Sequence, residues 1–288
     1  MIARLYRKCC TRKNIRMKIM YVCPYWGQEN VAADIFTERA MQEGYAGVEI
    51  NLPDDKTFIR QFDKRRSKEK GFIFIAQQVL PFEKLGAKEY IGKMKSRLEF
   101  LVSLEPTFIN AHTGRDYYSF DDNCRILEVA QSIAYKSGIE IYHETHRGRF
   151  SFHLYSLIRY LDKIPELELV ADFSHWCAVS ESMLQDQDDL LEKVLPHVAH
   201  IHARIGHEQA PQVNTPFTPE WDTHLQTFIQ WWQKIIDVNR KKRKQMTICP
   251  EFGPPPYMPV LPFTQQPIGN QWQINANMMN YLKERLKA

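Results

Sequence analysis

Short apolar runs alternate along this chain with longer segments in which apolar residues recur every three or four positions. The short runs are typical of buried strands, and the longer segments are typical of helices with one buried face. Eight strand–helix units follow one another, with strands predicted at about 17–23, 47–52, 72–79, 108–112, 139–144, 167–172, 198–204 and 246–251. This alternation predicts a parallel sheet. Eight units in about 270 residues match the size of a single (β/α)8 TIM barrel of the α/β class.

A doubly wound open sheet would show the same alternation and is the alternative. No glycine-rich GxGxxG segment follows the first strand, so the dinucleotide-binding version of that fold is disfavoured. Two strand-to-helix connections, 206–219 and 253–271, are long, and in a barrel such loops build the active face. Among the helices, one is predicted at about 181–195, and Asp121 and Asp122 are predicted to cap the fourth.

Four of the predicted strands end in residue types that bind metals. These residues are Glu144 in IEIYHETHRGR, Asp172 in LELVADFSHW, His202 in VAHIHARIG and Glu251 in QMTICPEFG. Side chains alternate along a strand, so His200, His202 and Arg204 share the face that points into the barrel. Three carboxylates and one imidazole suit one divalent ion such as Mn²⁺, Co²⁺, Mg²⁺ or Zn²⁺. The cation would also offset the repulsion between the carboxylates.

The charge of the chain is unevenly distributed. Residues 1–16 contain six Lys or Arg residues and no acid, so the rest of the chain carries a net charge of −2 out of the total of +4. We therefore divide the chain into a basic N-terminal extension, 1–16, expected to be disordered, and a barrel domain, 17–288. The acidic balance of that domain disfavours a nucleic-acid partner.

Hydropathy and cysteine usage indicate the cellular setting. No apolar run approaches the 18 residues of a membrane span, and residues 1–16 lack the apolar segment of a secretory signal. The six cysteines include no CxxC pair, and a disulfide framework would be unusual in a chain of this length. We expect reduced thiols, a cytoplasmic location and no membrane partner.

In this order, the strand-end residues resemble the xylose-isomerase-like TIM-barrel superfamily, in particular its sugar phosphate isomerase/epimerase branch. The resemblance covers nearly all of residues 17–288. It rests on GYAGVEI in the second strand, His112-Thr-Gly in the fourth, Glu144, Asp172-Phe-Ser-His175, His200-Ile-His202 and Glu251.

The resemblance implies a metal site and a mechanism. In the ketose 3-epimerases of that family, the matching residues bind one divalent ion, so Glu144, Asp172, His202 and Glu251 are the implied ligands. It further implies that Glu144 and Glu251 move a proton on and off the carbon beside the carbonyl, through a metal-stabilised enediolate. His200 is the alternative to His202 by strand parity. The resemblance also implies that His175 contacts a substrate oxygen.

Several other residues are candidates for substrate binding, namely His112, Arg204, Arg147, His207 and Trp26. With Arg149, the arginines make this region more cationic than a neutral sugar requires. They indicate a carboxylate, phosphate or enolate oxygen on the ligand, because guanidinium groups bind such oxyanions.

These observations favour a metal-dependent sugar or keto-sugar isomerase or epimerase of carbohydrate metabolism. A lyase, dehydratase or deglycosidase acting on an oxidised sugar or keto-acid with the same metal site is the alternative, because proton abstraction beside a carbonyl starts all of these reactions. A barrel that binds a ligand without catalysis is a third hypothesis.

Apurinic endonucleases share the barrel, but they have a three-metal site in that resemblance, and the Asp-x-His pair that follows their seventh strand is missing here. Family members often oligomerise, so a homo-oligomer is compatible with the resemblance.

Overall fold

A computed structural model describes residues 17–288, in which the strands form one parallel sheet. The strands are Lys18–Tyr21 (β1), Cys23–Pro24 (β2), Gly47–Ile50 (β3), Ile73–Gln78 (β4), Phe108–Ala111 (β5), Ile141–Glu144 (β6), Leu169–Ala171 (β7), Val198–His202 (β8) and Gln245–Cys249 (β9). The helices are Ala33–Glu43 (α1), Lys56–Arg66 (α2), Ala87–Val102 (α3), Phe120–Ser137 (α4), Leu154–Lys163 (α5), Ser174–Ser180 (α6), Asp188–Val194 (α7), Asp222–Asn239 (α8) and Gln271–Arg285 (α9).

The sheet is barrel-like, because its strand order begins and ends in the same stretch of chain. The first predicted strand is divided at Val22 into β1, which pairs with β9, and β2, which pairs with β3. The described residues therefore contain nine strands where eight were predicted. The prediction of a parallel, barrel-like α/β sheet is confirmed, but the predicted count of eight strands is not. The predicted basic extension, residues 1–16, lies outside the described residues.

The helix predicted at 181–195 is present only in part, as α7, and its predicted beginning was wrong. Helix α6 begins at Ser174, directly after β7, and ends before Glu181, whose φ of 47° lies in the left-handed region. Leu184 also has a positive φ, of 56°, and α7 begins only at Asp188. Left-handed residues cannot continue a right-handed helix, so residues 181–187 form a non-helical connection between α6 and α7.

The cap predicted for α4 is displaced by two or three residues. Ser119 is the N-cap, and its hydroxyl oxygen accepts a hydrogen bond from the backbone N–H of Asp122 at 3.1 Å. Asp121 and Asp122 lie instead in the first helical turn, where acidic side chains favour the positive end of the helix dipole. None of the helices in residues 17–288 combines the length and apolar character needed to cross a membrane.

The apolar core has two parts, which together define where polar side chains converge. The larger part lies between the sheet and the helices and includes Phe36, Leu98, Ile126, Phe228 and Met278. The smaller part contains only residues from the strands and Val22, namely Val22, Ile73, Ile75, Phe108 and Cys249. Because side chains alternate, the same strand faces continue with polar residues such as Gln77, Asn110 and Glu251. The smaller cluster therefore forms an apolar floor beneath a polar site at the carboxyl ends of the strands.

Candidate active site

Directly above the apolar floor lies a buried polar group that we call the inner layer: Glu49 of β3, Gln77 of β4, Asn110 of β5 and His200 of β8. Oε1 of Glu49 accepts hydrogen bonds from Asn110 Nδ2 at 2.8 Å and from Gln77 Nε2 at 3.1 Å. Oε2 of Glu49 lies 2.9 Å from Nε2 of His200. Burial opposes ionisation of Glu49, but the charges of His202 and His200 outweigh it and hold its pKa well below its usual value.

Three further carboxylates, Glu144, Asp172 and Glu251, form what we call the outer layer. Glu144 ends β6, Asp172 directly follows β7, and Glu251 lies two residues after β9. All three are buried, and one ligand atom from each lies within 4.8 Å of the others and of a ring nitrogen of His202. The strand ends thus bring together the four residues that the sequence indicated as a metal site.

His202 joins the two layers through opposite edges of its ring. Its Nε2 lies 3.0 Å from Oε1 of Glu49 in the inner layer. Its Nδ1 lies 2.9 Å from Oε2 of Glu251 and 3.7 Å from Oε2 of Glu144. Burial disfavours the imidazolium ion, but Glu251, Glu49 and Glu144 outweigh it and raise the pKa of His202 well above its usual value. A positive charge is therefore stabilised between the two layers.

The geometry fits a divalent cation in the outer layer. Nδ1 of His202 is buried without a hydrogen-bond partner in the described chain, although Glu251 is close. The positive charge favoured on the metal-free ring would be replaced by that of the ion: with Nε2–H still donating to Glu49, loss of the Nδ1 proton would leave a lone pair that faces the outer carboxylates. A carboxylate that holds the far ring nitrogen is the usual support of a metal-binding histidine. One imidazole and three carboxylates form a donor set that divalent ions accept.

Arg204 and His175 lie behind Asp172. The Arg204 guanidinium forms an ion pair with Oδ2 of Asp172, and the Ser174 hydroxyl donates to Oδ1. Nη2 of Arg204 also lies 2.8 Å from Nε2 of His175, which must act as the acceptor there. Burial lowers the pKa of His175, and the neighbouring His146 and Arg204 lower it further. His175 is therefore neutral, and the charge of Arg204 is balanced by Asp172.

His112 and Asn110 hold Glu144 in place. Oε2 of Glu144 lies 2.8 Å from His112 Nε2 and accepts from Asn110 Nδ2 at 2.8 Å. Burial raises the pKa of Glu144, but His112 and then His202 outweigh it and lower the pKa below its usual value. Glu144 is therefore ionised at neutral pH.

A cavity of about 710 Å³ opens above the outer layer. Four of the six residues predicted to bind substrate line it, namely Trp26, His112, Arg147 and Arg204, together with the predicted catalytic residues Glu144 and Glu251. Trp26 and Tyr257 form one wall, with their rings edge to face at 4.9 Å. His175 does not line the cavity; its ring packs against that of His146 at 3.8 Å. His207 does not line it either and packs against Trp221 at 4.9 Å, because the loop after β8 carries it away.

No protein-family model and no curated protein matches this sequence. Solved structures do match, over most of the chain. The D-allulose 3-epimerase from Methylomonas sp., solved with D-allulose, has a TM-score of 0.61 and 15% identity, covering 94% of this chain and 99% of its own. The probable 3-DHS dehydratase AsbF from Bacillus anthracis has a TM-score of 0.58 and 17% identity, covering 93% and 100%.

A third match is a xylose isomerase-like TIM-barrel protein from Mycobacterium smegmatis, solved with magnesium. Its TM-score is 0.58 and its identity 11%, covering 93% of this chain and 97% of its own. The chain has the xylose-isomerase-like TIM-barrel fold. The resemblance inferred from the sequence is thereby confirmed for the fold, whereas identities this low leave the activity to be argued from the site.

Two members of the site in this xylose-isomerase-like barrel were missed from the sequence. Gln77 links the two layers, because its Nε2 lies 3.1 Å from both Glu49 Oε1 and Glu251 Oε1. Asn110 links them in the same way through Glu49 and Glu144. Each lies in an otherwise apolar strand, at one of the alternate positions whose side chains point into the barrel. That parity is the signal that could have identified them.

Proposed function

We propose that this chain is a metal-dependent isomerase or epimerase of a sugar or keto-sugar, with Glu144 and Glu251 as its proton-transfer groups. The observation that carries the proposal is that both carboxylates are buried, line one cavity and share His202. The structural match to a D-allulose 3-epimerase is consistent with it.

The proposed metal ligands are Glu144, Asp172, His202 and Glu251, whose ligand atoms cluster within 4.8 Å. When bound, the ion would supply a positive charge that polarises the carbonyl oxygen of the substrate and stabilises the negative charge formed there. Arg204 contributes by offsetting part of the charge of three carboxylates. Glu49 contributes by fixing the ring of His202.

The two glutamates would carry out proton transfer beside the carbonyl. One carboxylate removes the proton from the carbon, and the other returns a proton to the neighbouring carbon or to the opposite face. Each reaches the cavity from a different strand, β6 for Glu144 and β9 for Glu251. Trp26 and Tyr257 provide an apolar wall that would hold the sugar ring and limit access of water.

A lyase or dehydratase acting through the same first step is the second candidate. The cationic side chains of the cavity, Arg147, Arg149 and Arg204, favour it, because oxidised sugars and keto-acids are anionic. The structural match to a probable 3-DHS dehydratase is consistent with this reading. In that case, proton abstraction would be followed by cleavage of the C–O bond on the neighbouring carbon, with the second glutamate protonating the leaving hydroxyl so that water departs, rather than by return of a proton to carbon.

The first test is elemental analysis of purified protein after loading with Mn²⁺, Co²⁺, Mg²⁺ or Zn²⁺. We expect roughly one divalent ion per chain in the wild type and its loss in Glu251→Gln. Glu99→Gln is the matched control, because Glu99 is an exposed carboxylate of α3 that pairs only weakly with Lys95 at 3.8 Å. A wild type that holds no metal under any of these conditions would overturn the proposed mechanism.

The second test is solvent exchange. The wild type is incubated in D₂O with ketoses, keto-acids and 3-keto-glycosides, and NMR follows deuterium uptake at the carbon beside the carbonyl. Uptake with recovery of an isomer supports the isomerase or epimerase, and uptake with an unsaturated product supports the lyase. A metal-loaded protein that binds these compounds without any uptake would instead be a ligand-binding barrel.

A further inference from the structure

Arg149 is a buried cation of the cavity wall that has no counterion among the residues the structure describes. It lies in the loop between β6 and α5, is only 1% exposed and lines the cavity together with Glu144 and Glu251. Its Nε and Nη1 have no hydrogen-bond partner among residues 17–288. It also takes part in no salt bridge to a carboxylate within that range, whereas Arg204 in the same wall is paired with Asp172. The two arginines therefore differ in what balances their charge.

An arrangement of this kind is costly unless a ligand completes it. A guanidinium stays protonated at any physiological pH, so burial cannot neutralise it. Removing an ion from water without a compensating charge is strongly unfavourable. The ring of Phe82, whose centroid lies 4.8 Å from Cζ of Arg149, replaces only part of the lost hydration through a cation–π contact.

Arg115 is a second arginine that contacts the ring of Phe82. Its Nη2 donates to the carbonyl oxygen of Pro81 at 2.9 Å, and its Cζ lies 5.0 Å from the centroid of the Phe82 ring. Arg115 is 2% exposed, and its Nη1 also has no partner in the described chain. Arg115 is thus a positioning residue for the loop that carries Phe82, and it adds a second positive charge near the same ring.

We propose that Arg149 binds a carboxylate or phosphate group of the substrate, so that the substrate is a sugar acid, keto-acid or sugar phosphate rather than a neutral sugar. This inference rests on the proposed function in one respect, that the cavity is the substrate site. The planar guanidinium matches the geometry of both oxyanions. With one end held by Arg149, the reacting carbon would lie towards Glu144 and Glu251, which line the same cavity.

The test compares ligands that differ only at one end of a sugar ring. Isothermal titration calorimetry measures the binding of D-glucose, D-glucuronate and D-glucose 6-phosphate to the full-length, metal-loaded wild type. We expect at least one of the two anions to bind about tenfold or more tightly than D-glucose, as a charged hydrogen bond to an arginine would give. Whichever anion binds more tightly distinguishes the carboxylate from the phosphate.

Two variants assign that preference to Arg149. Arg149→Met removes the buried charge and should abolish the difference between the anions and D-glucose. Arg159→Met is the matched control, because Arg159 is exposed and also covers an aromatic ring, that of Phe120 at 4.6 Å. The control should keep the preference of the wild type.

The melting temperature separates ligand binding from a structural role. Because Arg149 is buried without a counterion, Arg149→Met should leave the melting temperature of the ligand-free protein unchanged or raise it. A marked fall, together with equally weakened binding of all three ligands, would make Arg149 a structural residue. Equal binding of the three ligands by the wild type, no binding of any of them, or an anion preference that survives in Arg149→Met would overturn the inference. The metal content of Glu251→Gln tests the proposed function separately.

Discussion

The inner and outer layers are both buried and both contain carboxylates, but they differ in the partners of those carboxylates. In the inner layer, Oε1 of Glu49 has Asn110, Gln77 and His202 as partners, and Oε2 has His200. In the outer layer, Glu144 and Glu251 both approach Nδ1 of His202, which has no aligned hydrogen bond in the described chain. Of the inner layer only Gln77 lines the cavity, whereas Glu144 and Glu251 of the outer layer both line it.

This difference separates support from ligand binding. Both oxygens of Glu49 are paired, and among the buried side-chain atoms of the inner layer Oδ1 of Asn110 is an exception that has no partner in the described chain. A buried polar network in which nearly every atom is paired is rigid and fixes the orientation of its side chains. The inner layer therefore sets the ring of His202, and the outer layer keeps carboxylate oxygens in excess of the cations around them. We expect that disrupting the inner layer mainly lowers the stability of the fold. Disrupting the outer layer should mainly weaken metal binding.

The largest effect should come from His202→Ala, because His202 belongs to both halves of this comparison. Its removal takes away the histidine partner of Glu251 and leaves Glu49 with His200 alone. We expect the free energy of unfolding in urea to fall by roughly 3–5 kcal/mol and metal binding to be lost. His197→Ala, which removes one hydrogen bond to the carbonyl oxygen of Leu167 at 2.9 Å, is the control and should cost about 1 kcal/mol. Equal losses in the two variants would contradict the role of His202.

Removal of the metal should have the next largest effect, and it should act through the outer layer alone. With free metal at about 100 times its dissociation constant, a chelator should lower the free energy of unfolding of the wild type by about 2.7 kcal/mol. The same chelator should have little effect on Glu251→Gln, which lacks one of the proposed ligands. Thermal melts with and without the chelator measure both. If the chelator destabilised Glu251→Gln as much as the wild type, the ion would bind outside the outer layer.

The outer layer could be predicted from the sequence, because it depends on local properties. Glu144, Asp172, His202 and Glu251 each stand at or just beyond the end of a strand, and the carboxyl ends of parallel strands meet at one rim. The structure brings these four residues together, while their roles as ligands and proton-transfer groups stay predictions.

The inner layer could not be predicted in the same way, because its meaning depends on partners far along the chain. Gln77 and Asn110 are single polar residues in apolar strands, and their acceptor Glu49 lies 28 and 61 residues away. The path of the loop after β8, which takes His207 to Trp221, is likewise set by tertiary contacts. The break at Glu181 depends on a left-handed backbone conformation that side-chain periodicity does not report.

A smaller effect on stability is expected from Glu49→Gln, which alters the inner layer and leaves the outer carboxylates intact. The new amide nitrogen would face donors such as Asn110 and Gln77, so buried hydrogen bonds would be lost. We expect a loss of roughly 1–3 kcal/mol in the free energy of unfolding of the metal-free protein. Metal affinity, measured by calorimetry, should fall roughly 10–100-fold, because the support of His202 is weakened. Glu99→Gln again serves as the control. An unchanged metal affinity in Glu49→Gln would mean that the inner layer does not support the metal site.

The smallest effect should come from Thr247→Val, which removes a single hydroxyl behind the inner layer. Nδ1 of His200 lies 2.7 Å from Oγ1 and 3.0 Å from the carbonyl oxygen of Thr247. When the hydroxyl donates to Nδ1, Nε2–H of His200 donates to Glu49, whereas without the hydroxyl Nδ1–H can donate to the carbonyl oxygen. Valine keeps the shape of the side chain but not this donor. We expect a loss of about 0.5–1.5 kcal/mol, with ¹⁵N NMR reporting a changed tautomer of His200. Metal affinity should change less than in Glu49→Gln, since His202 keeps its own contact with Glu49. A larger loss of affinity than in Glu49→Gln would mean that His200, and not Glu49, controls the ring of His202.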